Sequence, residues 1–398
     1  MSKSGQAENP SCENPAAAAA EVEAASGKDV ARGNPYRVLV TDADYKHSIA
    51  LARYIKRDMQ NIFLVGHARG AVRFARHYSC FDEFVTHEPL QVTLQKRKFD
   101  QVIPVGGRSV LQVAQTCPAL AVLPPLDQLQ SCYDKRLTIE LANLVGVPAP
   151  KTQALTAVQQ LVEQDLSFPC VVKPAHEVVS VKSVRYCSDA GQTRQTVVNM
   201  LQALSKDRVG VLVQEFVNGP GHGFFALMHH GKPLRVFMHE RLREYPPNGG
   251  PSTAAAAFYS ARLEELGVKL LSALEWNGVA MVEFKFDVHR QDFVLMEING
   301  KFWGSLELAL RSGVNFGADL IRLYRNEPLE SSSGYNRQVK FYWPLDGDLR
   351  TLWCTRNLLG GIRDYFRPGA VTNLGQSTVA EMLKSIRLIR DLMHGNKS

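Results

Sequence analysis

The sequence predicts an α/β protein with a covered parallel sheet near its start and a strand-rich second half. Three observations predict it. Short apolar runs alternate with helical stretches between residues 35 and 127. From about 150 to 330, paired strand patterns dominate instead. The composition, 45% hydrophobic and 21% charged, is that of a globular chain, and 398 residues leave room for two or three domains.

Residues 1–34, rich in Ala, Glu, Ser, Gly, Asn and Pro with the run Ala16–Ala20, read as a disordered leader. Val38–Val40 then starts a strand, a helix carries Leu51, Tyr54 and Ile55, and further strands are expected at Ile62–Val65, Val102–Val105 and Ala121–Leu123. Strands alternating with helices imply βαβ units, so 35–127 reads as a Rossmann-like domain. Its first loop, TDADYKHS, lacks GxGxxG, and Gly106-Gly107 is only a turn element, which argues against a dinucleotide site. Tyr133–Val145 is a helix stopped by Gly146 and Pro148.

After it come the strand FPCVVKP, a hairpin FALMHHGKPLRVFMHE turning at Gly231-Lys232, and the pair GVAMVEFKFDV and DFVLMEIN. SSSG after Glu330 reads as a linker into a basic helical extension, 331–398. That extension holds ten Lys plus Arg against five Asp plus Glu, so five of the seven net positive charges lie there. Without interleaved motif residues they read as solvated surface, and no nucleic-acid partner is expected. Seven scattered cysteines, none in CxxC, indicate a reducing compartment. No run reaches the roughly 18 apolar residues a membrane span needs, so a cytoplasmic protein is expected.

The strongest constellation is the last strand pair. A turn at residues 289–292 centres the pairing near 290, which places Glu283 opposite Glu297 and puts Leu295, Glu297 and Asn299 on one face by alternation. Like charges directly opposed destabilise a pair unless neutralised. Two carboxylates and an amide oxygen suit Mg²⁺ or Mn²⁺, hard ions that keep water and substrate phosphates as their other ligands.

Lys173 ends the strand FPCVV before Pro174, Lys182 follows nine residues later, and Lys135 opens the helix after the first domain. A lysine at such a strand end can neutralise a phosphate. In chain order the motifs are YDKRLTIELANLVGVPAPKT, VVKP, VQEFVNGPGHGFF, MVEFK and LMEING. Together they resemble the ATP-grasp superfamily over roughly 130–325, and in particular its carboxylate-amine ligases and a subgroup of carboligases.

The resemblance implies an α+β grasp domain at 128–330, with a small lid subdomain at about 150–217 and a central part at about 218–330, binding ATP and Mg²⁺. It places Lys135, Lys173 and Lys182 on the phosphates, and Gln214, Glu215, Phe216 and Val217 at the adenine hinge. His222 stands where a ribose contact is common. Glu283, Glu297 and Asn299 match the metal ligands, and Arg311 an arginine near the transferred phosphate or substrate. The segment 175–189 departs from the family in lacking glycine.

Arg241 and Arg243, two apart before the loop PPNGGP, should share a strand face and grip a carboxylate or acyl phosphate. The implied activity is an ATP-dependent ligase joining small-molecule carboxylate and amine substrates, with a homodimer as the default assembly. A bicarbonate-activating enzyme and a non-catalytic ATP-binding regulator remain the alternatives.

Overall fold

The computed structural model describes residues 34–70, 79–176, 184–206, 209–246 and 249–374. The leader, apart from Asn34, lies outside the described residues, as do Lys182 and the end of the C-terminal extension. A compact unit begins at Arg37.

The first sheet has the order β3-β2-β1-β4, from β1 (Tyr36–Val40), β2 (Ile62–His67), β3 (Glu83–Val85) and β4 (Gln101–Ile103). β1 pairs with β4 and β2 with β3 in parallel, as the βαβ pattern requires. Helices α1 (Lys46–Asp58) and α2 (Leu90–Lys96) lie between these strands, and α3 (Gly107–Thr116) follows β4. The strand expected at Ala121–Leu123 is an irregular connection instead. Pro118, Pro124 and Pro125 bracket it, and proline cannot donate to a ladder.

The expected helix from Tyr133 is divided in two. α4 (Leu126–Tyr133) stops at Asp134, whose carboxylate caps α5 (Lys135–Leu144) by accepting from the Arg136 N–H at 2.9 Å.

A small antiparallel sheet follows, ordered β5-β8-β6-β7, from β5 (Thr152–Leu155), β6 (Cys170–Pro174), β7 (Arg185–Cys187) and β8 (Val211–Glu215). One face buries Val172 and Val213 against Val197 and Met200 of α6 (Ala190–Ala203). Alternation turns Lys173 to the other face.

The large sheet is ordered β13-β12-β9-β10-β11-β14-β15. Its strands are β9 (Gly221–His229), β10 (Lys232–Glu244), β11 (Ser252–Ala257), β12 (Gly278–Asp287), β13 (Asp292–Asn299), β14 (Lys340–Tyr342) and β15 (Ala370–Thr372). The β9–β10 turn is His230-Gly231, one residue earlier than the sequence implied. Both residues have positive φ, 44° and 75°, which suits a two-residue hairpin. One sheet face packs Phe224, Met238, Val282 and Phe284 onto Leu263, Leu266 and Leu270 of α7 (Ala261–Ala273).

Helices α8 (Leu306–Arg311) and α9 (Phe316–Tyr324) follow β13. The extension beyond 330 is not simply helical. It adds β14 and β15 to the large sheet, with α10 (Asp348–Cys354) and α11 (Leu358–Asp364) between them. Its strands are only three residues long, too short for a periodicity to show. Among the described residues no helix is long and apolar enough to cross a membrane.

Candidate active site

Glu283 and Glu297 are directly paired across β12 and β13, and Asn299 pairs with Met281. The pairing centre read from the turn is therefore right at the metal end. It fails beyond it: Phe284 pairs with Leu295, so Met296 is an extra residue in β13. This bulge turns Leu295 to the opposite face, where it is fully buried in the core with Phe284, and leaves Glu297 facing Glu283. The Asn299 amide donates to Glu297 Oε1 at 2.8 Å, orienting the carboxylate.

Protein cations stand around the two acids. Lys135, the first residue of α5, lies 3.9 Å from Glu297, and its backbone N–H donates to the Ala175 carbonyl at the end of β6. Lys173 reaches the same place from the small sheet, interacting with Lys135, Glu297 and Glu283. Burial works against ionisation of Glu297, yet Lys135, Asn299, Lys173 and Lys301 together hold it below the usual carboxylate range. Glu283 is pushed up, by burial first and by Glu297, against the pull of Arg241.

Two opposed carboxylates with an amide beside them fit a hard divalent ion taking its other ligands from water and phosphate. Among the described residues no group of three His, Cys, Asp or Glu side chains offers an alternative metal site.

Burial, and then the neighbouring Lys135, bring Lys173 down to about 8. The unfolded chain keeps this proton up to its ordinary value of 10.5, so between these limits the folded state binds fewer protons. In EDTA, the urea-unfolding stability of the wild type should rise from pH 8 to 10 relative to Lys173→Met. Parallel pH profiles for the two proteins would refute this.

Arg241 on β10 reaches across β9 to Glu283 on β12, its Nη2 at 2.5 Å from Oε2. Gly221 and Gly223 make the crossing possible. A Cβ on Gly221 would sit 2.9 Å from Arg241 Cδ, and one on Gly223 2.3 Å from the Phe225 ring. Arg241 Nε is buried without a hydrogen-bond partner among the described residues.

Arg243 does not join it. A register shift between Arg241 and Arg243 breaks the alternation that would have put them on one face. Arg243 instead forks onto Asp348 with two contacts of 2.7 Å and bonds Asp364 at 2.8 Å. It is an anchor for the C-terminal extension.

Arg311 ends α8 at the surface, where its charge acts on Tyr54 of α1. His222 lies on the sheet face opposite Glu283, its ring 4.8 Å from that of Phe258 and 5.1 Å from that of Phe293. Burial lowers it to about 4, so it is neutral. His222→Phe gives up the Nδ1–H donated to the Pro220 carbonyl at 3.2 Å, which also accepts from the Phe286 N–H, and should leave the KM for ATP within about twofold; a large rise would restore a nucleotide role.

At the hinge, Phe216 to Pro220 carry the chain from β8 of the small sheet to β9 of the large one. Gln214 donates to Thr152 at 2.8 Å within the small sheet. The Glu215 carboxylate accepts from the Lys151 N–H at 2.8 Å and from Arg290 at 2.6 Å. A polar concavity of about 560 Å³ shares Gln214 and Glu215 but includes none of Glu283, Glu297, Lys135 or Lys173. The chemistry is gathered outside it.

The structure adds Lys301 to the cluster. Its charge acts on Glu297 and on His47, and its side chain lies against Gly107 at the start of α3. Burial, then Lys46, bring His47 down to about 4. Lys301 stands two residues past Asn299 in MEINGKFWG, so position alone could have flagged it.

No family model matches the chain. Among solved structures, it aligns with L-amino acid ligase from Bacillus licheniformis at a TM-score of 0.60 and 17% identity, covering 77% of this chain and 79% of that one. Biotin carboxylase from Campylobacter jejuni gives a TM-score of 0.63 at 13% identity, covering 77% and 74%. The chain has the ATP-grasp fold. Among curated proteins, the carbamoyl phosphate synthase large chain of Methanocorpusculum labreanum is 24% identical over 249 residues, 56% of this chain and 23% of that protein. The chain thus spans about a quarter of the length of the curated relatives it matches. In this ATP-grasp frame the paired acids lie on the large sheet, and Lys173 meets them from the small one.

Proposed function

We propose that the protein is an ATP-dependent carboxylate-amine ligase that forms an amide through an acyl phosphate. The observation that carries this reading is the meeting of Lys135 and Lys173 with the opposed Glu283 and Glu297, on an ATP-grasp fold. Phosphoryl transfer needs alignment and charge rather than a covalent nucleophile, and this cluster supplies both.

Lys135 and Lys173 bind the phosphates of ATP. Glu283, Glu297 and Asn299 would hold Mg²⁺, which when bound offsets charge on the β- and γ-oxygens. Arg241, beside Glu283, holds the substrate carboxylate. A carboxylate oxygen attacks the γ-phosphorus, the bond to the β-phosphate oxygen breaks, and ADP leaves. The amine nitrogen then attacks the acyl carbon, expelling phosphate and losing a proton. Lys301 stands on the side next to α3, and the proton is released to water.

The test is ADP and phosphate release from Mg-ATP with amino acids offered singly and in pairs, products being weighed by mass spectrometry. An amide whose mass is the sum of two substrates less water is expected. ATP binding without turnover across the panel would favour a non-catalytic regulator.

A further inference from the structure

The hinge carries a cation that the phosphate and metal chemistry does not use. Lys285 lies two residues from Glu283 on β12, and Val282 and Phe284 on either side of Glu283 are buried in the core, so both side chains leave the same sheet face. Two strand residues put Lys285 about 7 Å from the metal-binding carboxylate, toward the hinge. There its Nζ donates to the Val217 carbonyl at 3.3 Å and lies 5.2 Å from the centroid of the Phe216 ring. Phe216 in turn meets Tyr186 of β7 edge to face, at 5.8 Å. An aromatic wall from the small sheet thus faces a lysine from the large sheet.

A second polar side chain at the hinge is already engaged. Glu215 accepts from Arg290 and from the Lys151 N–H, so its carboxylate is not aimed at a base. Lys285 has three N–H groups, and the Val217 carbonyl takes one.

A nucleotide whose phosphates lie at Glu283 and Glu297 runs its base toward this corner. Adenine carries an amino group at position 6, which a backbone carbonyl accepts. Guanine carries a carbonyl there, beside N7, a pair of acceptors that suits a cationic donor. Without a donor at that point, a guanine oxygen would face the Val217 carbonyl and be repelled.

On the reading of this cleft as a nucleotide site, we propose that Lys285 reads the purine base, its ammonium donating to an acceptor on the ring edge, so that guanine nucleotides bind beside adenine nucleotides. Val217 and Lys285 together offer one acceptor and one donor, and the two purines use them differently.

The test is calorimetric binding of Mg-ADP and Mg-GDP to the full chain, which needs no knowledge of the other substrates. The wild type should bind Mg-GDP within about tenfold of Mg-ADP. In Lys285→Met the ratio of GDP to ADP affinity should fall at least about thirtyfold, the scale of one lost polar contact to a base. Lys285→Gln, which keeps a neutral donor, should retain part of it and serves if the methionine variant fails to fold. A wild type that binds ADP but rejects GDP by more than a hundredfold overturns the inference, as does an unchanged ratio in both variants. Binding of neither nucleotide removes the nucleotide site itself, a failure distinct from loss of GDP binding alone.

Discussion

Glu297→Gln is expected to lower turnover by roughly 10³-fold, the scale seen when one preorganised electrostatic group is removed from a transition-state site. The fold should survive. The amide has the same shape and can still accept from Asn299, which donates to Oε1. It also relieves the repulsion with Glu283, which raises that residue's pKa. What is lost is the charge that Lys135 and Lys173 face and that a divalent ion requires. Circular dichroism and melting temperature should match the wild type, and binding of ADP should lose most of its dependence on Mg²⁺. Normal turnover in this variant would refute the assignment.

Arg243→Ala is expected to act in the opposite way, on stability first. Asp348 is fully buried, and besides Arg243 it accepts only from Thr253 at 3.1 Å and Tyr365 at 2.8 Å among its described side-chain contacts. Removing the guanidinium strands a buried carboxylate, a change that typically costs about 3–5 kcal/mol. It also releases Asp364, so the segment carrying β14, α10, α11 and β15 loses its anchor to β10. Urea unfolding should show the loss, while the folded fraction keeps its KM for the carboxylate. A stable Arg243→Ala protein with a raised KM would return this arginine to the substrate.

The two arginines show why part of the site was hidden in the sequence. Alternation assigns residues 241 and 243 to one face, and it is a sound rule for a regular strand. The register shift between them shows only in the pairing of β10 with β11, and the Asp348 that takes up Arg243 is more than a hundred residues away. The bulge at Met296 is the same kind of event, yet it spares the pairing of Glu283 with Glu297 because it falls on the turn side of the acids. Lys285 was within reach of the period-two pattern that singled out Glu283, but its value shows only once Phe216 and Val217 lie against it.

The sequence by itself determined the parallel pairing of the first sheet and the pairing of Glu283 with Glu297. These follow from local hydrophobic period, turn position and strand pairing between near neighbours in the chain. Only the tertiary structure decided which arginine reaches Glu283, which face His222 takes, and that the residues after 330 complete the large sheet. Each of these depends on a contact between distant segments or on a one-residue shift in register, and a single such shift sends a side chain to the other side of a sheet.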